Sequence, residues 1–305
     1  MWIDRGESQQ SIYTIERIEM FKYVLYRILG NDLPPRHRED QTERNVEFIL
    51  ANEPPLIQCD KRFLLNRIVS PLKVARLRVM IEAVGYRCDE IPFVDSEYVA
   101  LGKSKSAKID YLTNVNAARN WCICEGLKDA EFVMPFDGGN MFRQDGWEQA
   151  DVTMRVNSQD AYFVLGQSRP KTYAEMLEVD EPAVLYEEYQ IGHDRVIGLR
   201  ELTVVFGHKA DKYYDKRLVY GMVDKVDLLW KIGVPGIWDR WEPQLRGCAL
   251  GNASEFFGNV KMAGWVARLP SGNSEADADN SVRGLQRREG VDNLVADVDE
   301  LILGG

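Results

Sequence analysis

The chain has 305 residues, 45% hydrophobic and 28% charged, which is enough apolar material for one large core or two joined halves and excludes a disordered chain. Its net charge of −10 argues against broad attraction to nucleic acid or anionic lipid, and no apolar run reaches the roughly 18–20 residues that span a bilayer. The opening MWIDRGESQQ lacks the pattern of a secretory signal, and five cysteines with no CxxC or His-rich spacing read as reduced packing residues of a cytoplasmic protein.

Residues 1–20 read as a polar arm. Phe21 to Leu29 is β-branched and aromatic enough for a strand. It runs into Gly30-Asn31-Asp32-Leu33-Pro34-Pro35-Arg36-His37-Arg38, a loop by its turn residues, and a helix is expected from after Asp40 to Asn52. A second strand is expected over Arg62–Val69. Ser70 and Pro71 then suit the cap and first turn of a helix whose apolar stripe is Val74, Leu77, Met80, Ile81 and Val84, stopped by Gly85. Cys88–Val94 reads as a third strand. Asp95 to Asp110, with Lys103, Lys105 and Lys108 among Ser and Ala, reads as a mobile surface loop of solvated lysines.

The stretch Thr113–Trp147 is the most informative. Thr113 or Asn114 can cap a helix running to Gly126, because a short polar side chain accepts from the free N–H groups of the first turn. Phe132 to Phe136 is an apolar run of strand length, and Asp137-Gly138-Gly139-Asn140 follows at once. A carboxylate where a buried strand surfaces, followed by two residues without side chains, is either a ligand site or a plain turn. Further on, Trp147–Asn157 reads as a helix, and Tyr162–Leu165 and Leu202–Phe206 as strands, the latter ending in Gly207-His208. The acidic residues of Glu175–Glu188 are expected to face solvent. A helix to about Ile232, a strand within Gly258–Leu269, a loop over Pro270–Ser281 and a terminal helix or pair over Val282–Leu303 complete the chain.

Ala118-Arg119-Asn120 on a helix, Gly126 at its end, an apolar strand and then Phe136-Asp137-Gly138-Gly139-Asn140 resemble the centre of GT-A-fold, family 2-like glycosyltransferases. The resemblance implies an α/β fold, with a GT-A-like (Rossmann-type) mostly parallel sheet flanked by helices and a mixed acceptor-binding half. It implies an arm over 1–20, a nucleotide-sugar-binding half over 21–165, an acceptor-binding half over 166–269 and a terminal loop and helix over 270–305. The donor, a UDP-type nucleotide-sugar, would meet Gly30, Asn31, Asp32, Arg36, Arg38, Asn66, Arg119, Asp137 and Gly138. Within that set Arg36 and Arg38 suit the diphosphate, since guanidinium groups match paired phosphate oxygens. Mn²⁺ or Mg²⁺ would sit on Asp137 with His208. The family's second carboxylate is Gly139 here, so that Asp137 needs ligands from elsewhere or a weak substitute in Asn140. Asp137 and Asp224 are the expected catalytic residues, Asp224 as the base, with Asp215 and Asp239 behind it.

Other readings stay open. Leu29–His37, LGNDLPPRH, resembles predicted glycosyltransferases of phages and fungi linked to modified DNA bases, which would make a hydroxymethylated base the acceptor. A nucleotidyltransferase of related fold carries a GxGTR-type loop after its first strand, and Gly30-Asn31-Asp32-Leu33-Pro34 lacks it. A non-catalytic sugar- or partner-binding relic would need no carboxylate at Gly139.

Overall fold

The structure is a computed structural model that describes residues 21–179, 186–191, 194–199, 202–218, 220, 225–234 and 260–304. The first part of the chain forms β1 (Phe21–Leu29), α1 (Gln41–Asn52), β2 (Cys59–Asn66), α2 (Pro71–Glu82) and β3 (Arg87–Ile91). Next come α3 (Asp95–Ala100), α4 (Lys105–Thr113), α5 (Val115–Gly126), β4 (Ala130–Asp137), β5 (Asn140–Met141), α6 (Gln144–Val156) and β6 (Tyr162–Ser168). The remainder gives α7 (Tyr173–Glu178), β7 (Tyr186–Ile191), β8 (Asp194–Leu199), β9 (Leu202–Gly207), α8 (Val226–Lys231), β10 (Lys261–Arg268), α9 (Ser274–Ala278) and α10 (Asn280–Leu303).

Among the described residues eight strands share one sheet in the order β3-β2-β1-β4-β9-β6-β10-β5, while β7 and β8 pair only with each other. Within the sheet only β9 and β5 run against the others. This is the expected α/β architecture, a parallel half followed by a mixed half. The inner strands are buried on both faces, as parallel strands covered by helices must be: Tyr23 to Leu29 are all inaccessible or nearly so. That burial includes Arg27, whose charge is met by Glu53 and whose Nε donates to the Asn140 carbonyl at 3.2 Å. β9 comes from the second half of the chain yet lies between β4 and β6, so the two expected halves are built on a common sheet.

Several elements differ from expectation for physical reasons. β2 begins and ends about three residues earlier because it pairs in parallel with β1 from Tyr23↔Cys59 to Leu29↔Leu65, and Arg67 leaves the strand with φ 47°. Gly126 is less a helix stop than a close-packing residue, since a Cβ there would lie 2.7 Å from the Val133 side chain on β4. The expected surface loop 95–110 forms α3 and most of α4. Their apolar side chains Tyr98 and Leu112 pack with Val295 and Val298 of α10. Two of the lysines expected to be solvated bind the same helix, Lys105 to Asp292 at 2.8 Å and the buried Lys108 to Asp299 at 2.6 Å. No local pattern displays a partner that lies so far along the chain.

Candidate active site

From β1 the chain builds outward through β2 to β3, then returns to the other side of β1 to lay down β4. Open α/β sheets bind ligands at such a reversal, in the crevice beyond the carboxyl ends of the strands. Register places Ile28 beside Asp137 and Leu29 beside Leu65, so Gly30, Asn66 and Asp137 emerge at one edge.

Asp137 is held from two sides. Arg119, projecting from α5 and 2% exposed, places Nη2 2.7 Å from Oδ1, and Lys225 places Nζ 2.8 Å from Oδ2. Burial alone would raise the pKa of this carboxyl; the Arg119 and Lys225 charges, with Arg268 behind them, overcome it and hold the group well below the usual carboxylate range. The helix is prepared for this. Asn114 caps it by accepting from the Ala117 N–H at 2.8 Å. Asn116 accepts from Arg119 Nη1 at 2.8 Å and donates to the Asp215 carbonyl at 2.9 Å. Asn120 exchanges two hydrogen bonds with the Tyr214 backbone, and the Arg119 guanidinium lies 5.0 Å from the centre of the Tyr214 ring. Arg119 and Asn120 therefore join the carboxylate to a loop from the second half.

The glycines after Asp137 are not alike. A Cβ on Gly138 would come 2.8 Å from the Ile28 carbonyl oxygen, so the chain must pass bare over the end of β1. A Cβ on Gly139 would meet only the Leu269 oxygen, at 4.0 Å. Nothing steric demands glycine there. Asn140, the substitute ligand considered from sequence, is 1% exposed and directs its amide to Thr203 at 3.3 Å. It faces the core and not the crevice.

The loop after β1 divides into scaffold and site. Asn31 clips the ends of two strands together, donating to the Arg67 carbonyl at 2.8 Å and accepting from the Val69 N–H at 3.0 Å. Asp32 accepts from the N–H of Thr42 at 3.1 Å and its hydroxyl at 2.7 Å, capping α1 from ten residues upstream; its other oxygen pairs with Lys73 at 2.5 Å. Both are occupied with architecture. Gly30 borders open space. Arg36 is 2% exposed and its Nη1 has no partner among the described residues, whereas Arg38 is exposed. Between them His37 accepts from the Leu33 N–H at 3.2 Å, and burial with the Arg36, Arg268 and Arg283 charges pulls its pKa down to about 3, so the ring stays neutral. Across the crevice Asn66 is 5% exposed with an unpartnered Oδ1, and Arg67 lies 4.5 Å over the Tyr111 ring.

His208 requires a correction. β9 runs antiparallel to β4 with Gly207 opposite Phe132, five residues before Asp137. His208 thus falls beside Glu131, six residues before Asp137, and at about 3.3 Å per residue this puts it roughly 20 Å away, at the opposite end of the strand, where no single ion reaches both. Among the described residues no three His, Cys, Asp or Glu side chains gather as a metal would require, and both oxygens of Asp137 already face cations. These residues do not fit a divalent ion. Asp224 and Asp239 lie outside the described residues; Asp215 is drawn to Arg217 at 2.6 Å, which holds its pKa at about 2. Sequence reasoning missed Lys225 and Arg268. The second carried a readable signal, a charge at the end of the apolar run Met262–Ala267, as Asp137 is on β4.

No family model matches this chain, and no curated protein matches it. Among solved structures, S. aureus TarS 1-349 in complex with UDP aligns with a TM-score of 0.36 and 11% identity over 65% of this chain and 52% of that one. A second S. aureus TarS structure gives 0.36 and 12% over 67% of this chain and 32% of that one. A mannose-1-phosphate geranyltransferase from Thermus thermophilus gives 0.26 and 14% over 82% and 74%. The chain spans about half the length of the first of these, 52%. With likeness this slight, function is read from the Asp137 corner itself.

Proposed function

We propose that the chain is a glycosyltransferase that moves a sugar from a nucleotide-sugar donor to a hydroxyl acceptor. The observation that carries this reading is the place of Asp137, an ionised carboxylate between two cations where β1 and β4 part at the reversal of the sheet. Around it the crevice offers what such a donor needs. The open acceptor on Asn66 suits the ring N–H of uracil or guanine, the Arg36 guanidinium suits phosphate oxygens, and Asp137 suits a sugar or ribose hydroxyl. Gly30 leaves the backbone approachable.

In the transfer the acceptor oxygen bonds the anomeric carbon as the bond from that carbon to the phosphate oxygen breaks. The electron pair leaves with the diphosphate, whose growing charge the cations stabilise, and the acceptor proton passes to a base. Asp224 is the proposed base. It lies outside the described residues, one position before the Lys225 that grips Asp137.

Thermal shift and calorimetry with UDP-, GDP- and CMP-sugars test the reading. Binding of a UDP- or GDP-sugar is expected, weakened about tenfold or more in Asp137→Asn and unchanged in Glu47→Ala on the outer face of α1, where tenfold corresponds to about 1.4 kcal/mol. A protein that responds to no nucleotide-sugar overturns it.

A further inference from the structure

The loop after β1 is clasped by residues more than two hundred positions later. Asn273 is the joint of this clasp. Its Nδ2 donates to the Pro35 carbonyl at 2.7 Å and to Gln286 Oε1 on α10 at 3.0 Å, while its Oδ1 accepts from the Ala276 N–H of α9 at 3.2 Å. The Ser271 carbonyl accepts from the Arg38 N–H at 3.3 Å, and Asn293 of α10 donates to the Pro34 carbonyl at 3.4 Å. Gly290 brings α10 so near Leu33 that a Cβ would lie 2.5 Å from its carbonyl oxygen. This part of α10 is fitted to the loop that carries Arg36.

The same helix holds the opposite wall of the crevice. Asp299 accepts from Lys108 Nζ at 2.6 Å and from the Tyr98 hydroxyl at 2.8 Å, and the buried Lys108 lies 5.2 Å from the centre of the Tyr98 ring. Val295 and Val298 pack on Tyr98 and Leu112. Asp292 pairs with Lys105 at 2.8 Å, but both side chains are more than half exposed and such a pair contributes little. Lys108 and Leu112 belong to α4, which also carries Tyr111, and the Arg67 guanidinium lies 4.5 Å over that ring. Arg67 is itself pinned. Its φ is 47°, its N–H donates to the Ile91 carbonyl at 2.8 Å, and its carbonyl accepts from Asn31 at 2.8 Å. Beside it Asn66 keeps its open acceptor.

We propose that α10 ties the two walls of the donor crevice together, with Asp299 as a positioning residue that acts through α4 and, along the helix, on the Arg36 loop. The inference rests on the nucleotide-sugar reading for the identity of the ligand, while the tie is a property of these contacts. From Gly290 to Asp299 a helix at 1.5 Å per residue spans about 14 Å, and it transmits a shift at one end to the other. The bond from Lys108 is charge-assisted, so loss of Asp299 strands a buried ammonium and frees α10 from α4. A nucleotide with its base at Asn66 and its phosphates at Arg36 bridges both walls. It binds best when the tie is made, and its binding in turn holds the tie closed.

Hydrogen exchange and UDP titration on the whole chain test this. In the ligand-free protein Asp299→Ala is expected to speed exchange of the Arg38 amide and its loop neighbours about threefold or more, although the substitution faces α4. Lys108→Met cuts the same bond without stranding a buried charge and should act in the same direction. Met154→Ala, a core change in α6 that lowers the melting temperature, should leave loop exchange as it is. UDP should slow exchange along α10 in the parent. Its affinity should fall about tenfold in Asp299→Ala, recover in Asp299→Glu, and stay within about twofold of the parent in Met154→Ala. Loop exchange that ignores both Asp299→Ala and Lys108→Met overturns the tie and leaves the glycosyltransferase reading standing. So does UDP affinity that is unchanged in Asp299→Ala or falls equally in Met154→Ala. Loop exchange that responds in a protein to which no nucleotide-sugar binds keeps the tie and overturns that reading.

Discussion

Asp137 meets Lys225 and Arg119, a residue only 2% exposed, and its role is tested by removing its charge alone. Asp137→Asn leaves two cations facing a neutral amide and is expected to cost about 3 kcal/mol, read in denaturant unfolding. Because the folded-state pKa is depressed from 3.8, the carboxylate's contribution is fully present above that value and fades only as pH falls below it. The stability gap between Asp137→Asn and the parent should therefore stay constant from neutrality to about pH 4. His37 gives the opposite slope. Its pKa is lowered to about 3, so the unfolded chain takes up the proton first and the folded state loses stability as pH drops from 6.5 toward that value. A His37→Gln protein should lack that part of the acid slope. Gly139→Asp is sterically open and returns the missing second carboxylate. Calorimetry should then detect Mn²⁺ binding that the parent lacks. None of the partners that set these values could be read from the sequence, although Asp137 itself was legible as a charge at the end of an apolar strand.

Local signals served best where an element's own residues decide its form. β1 matches its expected bounds because seven of its nine residues are β-branched, aromatic or aliphatic and the run ends at a glycine. α5 was legible from its cap at Asn114 and its end at Gly126, and Asn114→Ala should lower stability by about 1 kcal/mol in thermal unfolding by removing the cap. α1 was placed correctly, yet its cap is Asp32 from the preceding loop and not Asp40, which makes no side-chain cap bond. α3 and α4 were misread because their apolar faces are completed by α10, which a local window cannot contain. α10 is also where close packing is least forgiving. Gly290→Leu should push the helix off Leu33 and lower the melting temperature, with the far-ultraviolet spectrum little changed.

For the molecule as a whole, the outline of an α/β sheet was readable from alternating strands and helices, but its order was not. Insertion of β9 between β4 and β6 is a choice among pairings that no strand states by itself. That choice decides the chemistry of the site. It sends His208 to the amino end of β4, while the return of the chain near residue 225 brings Lys225 to the carboxyl end. The basic groups collected at that edge sit in a chain of net charge −10, so the positive field they make is local and not a property of the whole surface.

The clasp over the proline loop joins positions 238 and 259 residues apart. At roughly 5–20 residues per second, a ribosome needs on the order of ten to fifty seconds to make the intervening polypeptide. A nascent chain therefore carries Arg36 and the loop around it without their partners until the closing segment emerges.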